Sequence, residues 1–277
     1  MEQKDNQDGE HSLQFAIRST IIMVVMWIFI KNVIFANLNF ETEIQFAIID
    51  GLIRAAFALL AILVFGKIIG SNGFKFAFTT KGFKKGMFAH IPMFLLGFAM
   101  PLIALSIPEA QLVFEKVVPW LLPALFSNIS NAVWEDVLWN GVLMTGMLIK
   151  WSSTWDESST VKKRVAFMLI CSLAFGMMHF SSGGILHVFS AIASGAVFGA
   201  AYIYSKNLLA CFVAHTWINF ITAVTTSMFY DIELIGLFHQ KLFIVATAWG
   251  VVVMIPFAIY LTVKAEPFWS LEEDRSV

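Results

Sequence analysis

Glu135, Asp136, His179, His187 and His215 lie inside long hydrophobic runs, and Asn219 follows His215 by one helical turn. An ionisable group in hydrocarbon is costly and ordinarily faces a cavity or a partner, so each is a functional candidate. A carboxylate can take a proton from water, and an imidazole can orient that water or protonate a leaving amine. An imidazole N–H and an amide NH2 can together donate to a developing oxyanion. His215 and Asn219 are spaced i, i+4 and therefore share a helix face. At 1.5 Å per residue, Glu135 and His179 sit roughly 21 Å into their runs, and His215 and Asn219 roughly 10 and 16 Å. The four are expected to converge near mid-membrane. The same residues have a plainer reading: a single histidine in an apolar helix is often a hydrogen-bonded core residue. His187, beside Ser181–Gly184, also fits an interfacial position.

Those depths presuppose spanning helices, and the composition requires them. The 277 residues are 58% hydrophobic and 13% charged, with a mean hydropathy of +0.77. Soluble domains carry about 25% charged residues. The balance of 18 Lys+Arg against 19 Asp+Glu offers no field for phosphates, which excludes a nucleic-acid partner. Cys171 and Cys211 fall in apolar runs and read as small core residues, not as a disulfide framework. The expected fold class is all-α, a polytopic bundle of about eight transmembrane helices. The runs are 15–35, 44–69, 86–107, 121–149, 165–181, 185–204, 208–229 and 242–263. The organisation expected is a polar tail over 1–12, a single membrane domain over 13–264 with its core at 121–229, and a polar tail over 265–277. The first run follows no basic segment and precedes no small-residue cleavage site, so it reads as a retained span. Alternating spans place 14 Lys and Arg on the side of the N-terminus and three (Lys31, Lys116, Lys241) on the other, which puts both termini in the cytoplasm. Trp151–Arg164 reads as a cytoplasmic loop. Asp50 and Arg54, i, i+4 near the outer end of the second run, read as a structural ion pair. Ala191, Gly195 and Gly199 form a small-residue stripe for close helix approach.

In chain order, WEDVLWNGVL (134–143), FGMMH (175–179) and HTWIN (215–219) resemble the three motifs of the CPBP family, the CAAX proteases and bacteriocin-processing enzymes also called Abi. The family pattern is Glu-Glu-x-x-x-Arg, then Phe-x-x-x-His, then His-x-x-x-Asn or Asp. The resemblance covers about a third of the chain, from Trp134 to Asn219, and its eight-span architecture agrees with the count above. It implies a glutamate-dependent intramembrane endopeptidase (a hydrolase). Glu135 matches the general base, His179 the histidine that helps it activate water, and His215 and Asn219 the pair supporting the oxyanion. Phe175, Asp136 and Asn140 occupy supporting positions. The chain departs from the pattern at two of these: Asp136 replaces the second glutamate and Asn140 the arginine, so no cation is expected beside the two carboxylates. No short-range ligand spacing such as His-Glu-x-x-His is present, and neither a metal nor another cofactor is expected.

The implied partners are the lipid bilayer and a membrane-delivered peptide or protein: a prenylated CAAX-like tail, a bacteriocin leader or a signalling peptide. The implied location is a bacterial plasma membrane. Two other classes remain open at this point: a non-catalytic immunity or scaffold protein gripping a membrane-protein partner, favoured by Asn140, and a small transporter using the same polar groups.

Overall fold

The structure is a computed structural model, and it describes residues 2–107, 118–152, 157–229 and 231–266. Helix α1 runs Glu2–Phe29 and continues through a π-helical turn, Ile30–Ile34, into Phe35–Asn37. Then follow α2 (Glu43–Ile69), α3 (Phe83–Ala89) and α4 (Ile91–Leu105). Helix α5 runs Leu121–Asp136, widens into a π-helix over Val137–Met144, and ends as Thr145–Ser152. The last four are α6 (Glu157–Met177), α7 (Phe180–Ser205), α8 (Leu208–Ser227) and α9 (Ile232–Trp249, extended by Gly250–Met254 and Ile255–Lys264).

Long helices are what an apolar chain forms when no water is available to its backbone, because each N–H and C=O is then satisfied within the segment. Side-chain placement follows the same logic. On α1, Ala16, Thr20, Met23 and Trp27 recur every three or four residues and face inward, while Ile21, Ile22, Val25 and Phe29 are exposed. An apolar residue turned outward along a whole helix is the signature of a lipid-facing surface. Among the described residues, five helical segments can cross a membrane by length and composition: His11–Asn37, Ile44–Ile69, Gly184–Ser205, Leu208–Ser227 and Ile232–Lys264. A sixth arises if α3 and α4, bent by 54° at their junction, form one span. Of the other runs expected to span, α5 and α6 are also helical. Glu135, Asp136 and Asn140 dilute the hydropathy of α5, and Lys162, Lys163 and Arg164 that of α6.

Two polar segments are helical. Residues 2–12 form the start of α1. Most of Trp151–Arg164 is helix, with α5 reaching Ser152 and α6 starting at Glu157, while 153–156 lie outside the described residues. A helix can continue past the apolar slab because its own backbone bonds do not depend on the solvent. The expected C-terminal tail lies outside the described residues from 267 onward.

The break between the fifth and sixth runs is a backbone event at Gly184 (φ 67, ψ −163), which bends α7 near its start. The small-residue stripe on α7 does what its spacing implied. A Cβ on Gly195 would lie 3.0 Å from the Phe175 ring and 3.2 Å from Ser172 Cα, and one on Gly199 would lie 2.8 Å from Met144 Cε. Helix α7 thus packs directly on α6 and on the widened part of α5. Cys171 and Cys211 are both free and buried.

Candidate active site

Glu135 is the penultimate residue of α5 before the π-helix, and π-turns inside α-helices frequently accompany functional sites. Its carboxylate opens onto a cavity of about 850 Å³. Phe175, His179, His187, His215 and Asn219 line the same cavity. The structure therefore brings together all four residues matched to catalytic positions, from α5, from the turn between α6 and α7, and from α8.

His215 is the hub. Its Nε2 lies 3.7 Å from Glu135 Oε2, and its Nδ1 lies 3.4 Å from Asp136 Oδ1. The ring stacks on Phe198 at 4.7 Å and meets Phe175 edge-on at 5.9 Å, so its plane is fixed from two sides. His215 is 2% exposed and Asp136 also 2%, whereas the Glu135 side chain keeps 13%. Asp136 thus braces the imidazole from behind, and Nε2 faces the carboxylate that reaches the cavity. Asn140 donates to Asp136 Oδ1 at 3.4 Å, and neither residue lines the cavity. The two departures from the family pattern consequently lie behind the histidine, away from the open space.

In the turn between α6 and α7, where it caps α7, His179 Nδ1 donates to the Phe175 carbonyl at 2.9 Å. A carbonyl can only accept, so Nδ1 carries a proton, and the neutral form of the ring has its lone pair on Nε2. His187 is not merely interfacial. It meets His179 at 4.9 Å and stacks on Phe243 at 4.4 Å inside the cavity wall. Thr226 Oγ1 and His239 Nε2, 3.1 Å apart, extend the polar lining.

The expectation that no cation stands beside the carboxylates is corrected here. Arg54, on α2, places Nη1 3.8 Å from Glu135 Oε1. Its Nε donates to Asp50 Oδ2 at 2.6 Å, its Nη1 also donates to Asn131 Oδ1, and its guanidinium lies 4.5 Å above the Trp27 ring. Ser127 Oγ donates to the same Asp50 oxygen at 2.8 Å. Asp50 and Arg54 are paired as expected, but the pair is built into the cavity wall. The available signal was an arginine inside an apolar span, which by itself marks a functional position. The i, i+4 aspartate hid it by supplying a local explanation. Among the described residues, no group of three or more His, Cys, Asp or Glu side chains is arranged to hold a metal ion.

Residues 117–221 match the family model described as type II CAAX prenyl endopeptidase Rce1-like. Residues 117–221 are thus similar to an Rce1-like domain of the CPBP family. That segment contains Glu135, His179, His215 and Asn219, and it spans somewhat more than a third of the sequence. An uncharacterized protein of Mycoplasma capricolum subsp. capricolum is 35% identical over 65 residues, which is 23% of this chain and 19% of that relative. The similarity thus extends over a small part of either protein. No solved structure matches. The Rce1-like family is one of membrane proteases, and with its long apolar helices this chain is a multi-pass membrane protein.

Proposed function

We propose that the cavity is the active site of an intramembrane endopeptidase that hydrolyses a peptide bond in a membrane-delivered substrate. The observation that carries this reading is Glu135: a carboxylate inside an apolar bundle, open to a cavity, with His215 Nε2 at 3.7 Å. That separation exceeds a direct hydrogen bond, and one water molecule can touch both atoms. Glu135 takes a proton from the water as its oxygen attacks the scissile carbonyl, with the His179 lone pair orienting it. The carbonyl oxygen becomes an oxyanion, and His215 and the Asn219 amide donate to it. When the C–N bond breaks, the proton held by Glu135 passes to the departing amine. Arg54 balances the Glu135 charge in a region of low dielectric. Asp136 holds the His215 ring, as a carboxylate does for histidine in other hydrolases. The surrounding architecture is eight crossings with both termini in the cytoplasm, in a bacterial plasma membrane.

The test is cleavage by purified protein in liposomes, using a membrane-peptide library and Glu135→Gln as reference. Loss of a general base lowers the rate about 10²- to 10⁴-fold. Cleavage by Glu135→Gln at the wild-type rate removes the assignment.

A further inference from the structure

The cavity and the positive charges lie at opposite ends of the molecule. The cavity is lined by the C-terminal part of α1 (Trp27, Lys31) and the N-terminal half of α5 (Asn128, Asn131). The end of α8 (Thr226, Ser227) completes it, as do the first turns of α9 (Ile232, Ile235). The linkers nearest these residues are those after α1, before α5, after α6 and after α8. The other end is tied together independently. Asn207, before α8, donates to the carbonyls of Thr79 and Lys81 at 2.7 and 2.8 Å. Arg164, on α6, donates to the carbonyls of Ala265 and Glu266 at 2.7 and 3.0 Å.

That second end is the basic one. Lys75, Lys81, Lys84, Lys85, Lys206 and Lys264 all stand at it, and the whole-chain division is 14 Lys and Arg against three. The cavity end has Asp231 and Glu233 at the start of α9. Basic residues are retained on the cytoplasmic side of a polytopic protein. We infer that the catalytic cavity opens to the non-cytoplasmic face, so that the substrate is a peptide segment presented from the outer leaflet or from outside the cell. The inference rests on the endopeptidase reading for the word substrate, and on geometry and charge alone for the direction. A leader or signalling peptide that is crossing or has crossed the membrane reaches such a cavity. A lipidated tail held at the cytoplasmic surface stands at the other end, where Asn207 and Arg164 tie neighbouring segments together. Among the described lining residues, the Lys, Arg, Asp and Glu side chains are Lys31, Arg54 and Glu135. The site therefore favours neutral or acidic residues around the scissile bond over basic ones.

Two experiments decide the two parts separately. In intact cells, a sulfonated membrane-impermeant thiol reagent is applied to single-cysteine insertions at the mouth (Ile232→Cys), in the cavity (Thr222→Cys) and at the opposite end (Ser71→Cys). The wild type, whose own cysteines are buried, is the blank. Ile232→Cys and Thr222→Cys are expected to label in intact cells and Ser71→Cys only after permeabilisation. The reverse pattern overturns the proposed direction. Single-span reporters with a randomised segment on one side of the membrane are then compared with and without Glu135→Gln. Glu135-dependent cleavage confined to reporters with the segment outside is the expected result, and cleavage confined to the inside overturns the proposal. Cleavage on neither side overturns the endopeptidase reading, with the direction still decided by thiol labelling.

Discussion

At the scale of single residues, the site is a chain of ionisable groups: Arg54, Glu135, His215 and Asp136, with each link between 3.4 and 3.8 Å. Arg54 gives the sharpest prediction. Its Nη1 stands 3.8 Å from Glu135 Oε1, an ion pair beyond hydrogen-bond reach in a largely buried setting. Arg54→Gln is expected to lower kcat about 10- to 10²-fold, with Arg54→Lys retaining more activity. Lysine keeps the charge but loses the fork that also reaches Asp50 and Asn131. Steady-state kinetics on a Glu135-dependent substrate check this, and an unchanged kcat in folded Arg54→Gln would detach the guanidinium from the chemistry. For Asn219→Ala, loss of one oxyanion donor predicts a kcat reduced about 10²- to 10³-fold. An effect confined to KM would assign Asn219 to ground-state binding instead. The sequence made Glu135, His179, His215 and Asn219 legible because a polar group in an apolar run needs a reason to be there. Arg54 was legible as an anomaly but not as a member of the site. Its contact with Glu135 joins α2 to α5, and no local spacing encodes a contact between distant helices.

At the scale of elements, positions depend on how closely helices approach. Phe175 touches three parts of the story: it precedes His179 by one turn, borders His215, and lies against Gly195 of α7. Gly195→Leu forces a side chain into a space where even a Cβ meets the Phe175 ring at 3.0 Å. Overpacking of this kind costs about 1–3 kcal/mol. The expected outcome is a lower thermal midpoint in detergent, together with reduced kcat as the Phe175–His179 turn shifts. A midpoint and kcat equal to wild type would show that α7 can retreat without disturbing α6. The stripe was legible from its i, i+4 spacing, as was the Gly184 break from the Ser-Ser-Gly-Gly run. The widening of α5 into a π-helix was not, since weak helix formers such as Asn140 and Gly141 do not specify the extra width, which is set by neighbours. There Thr145 Oγ1 donates to the Asn140 carbonyl at 3.1 Å, and its hydroxyl lies 2.8 Å from that of Tyr202 on α7. Those contacts come from tertiary packing, which hydropathy does not register.

At the scale of the molecule, the two ends have different work. The cavity end must admit a substrate, so it is lined by polar side chains that can meet water. The basic end can be closed, and Asn207 shows how. It is fully buried and uses all three of its side-chain contacts in that closure. Its Oδ1 accepts from Ala210 N at 2.7 Å as the N-cap of α8, and its Nδ2 bridges the Thr79 and Lys81 carbonyls. Asn207→Ala removes the cap, worth about 0.5–2 kcal/mol, and two hydrogen bonds to part-buried carbonyls, each worth about 0.5–1.5 kcal/mol. A total destabilisation of about 2–4 kcal/mol is expected. Asn207→Ser keeps an oxygen for the cap and loses only the bridge, so it should lie about 1 kcal/mol closer to wild type. Because Asn207 stands at the end away from the cavity, both variants should leave KM unchanged wherever the protein remains folded. Thermal unfolding in detergent and steady-state kinetics below the midpoint separate the two effects. An Asn207→Ala protein of wild-type stability but altered KM would mean that the basic end communicates with the substrate, contrary to the division of the molecule into a closed end and an open one.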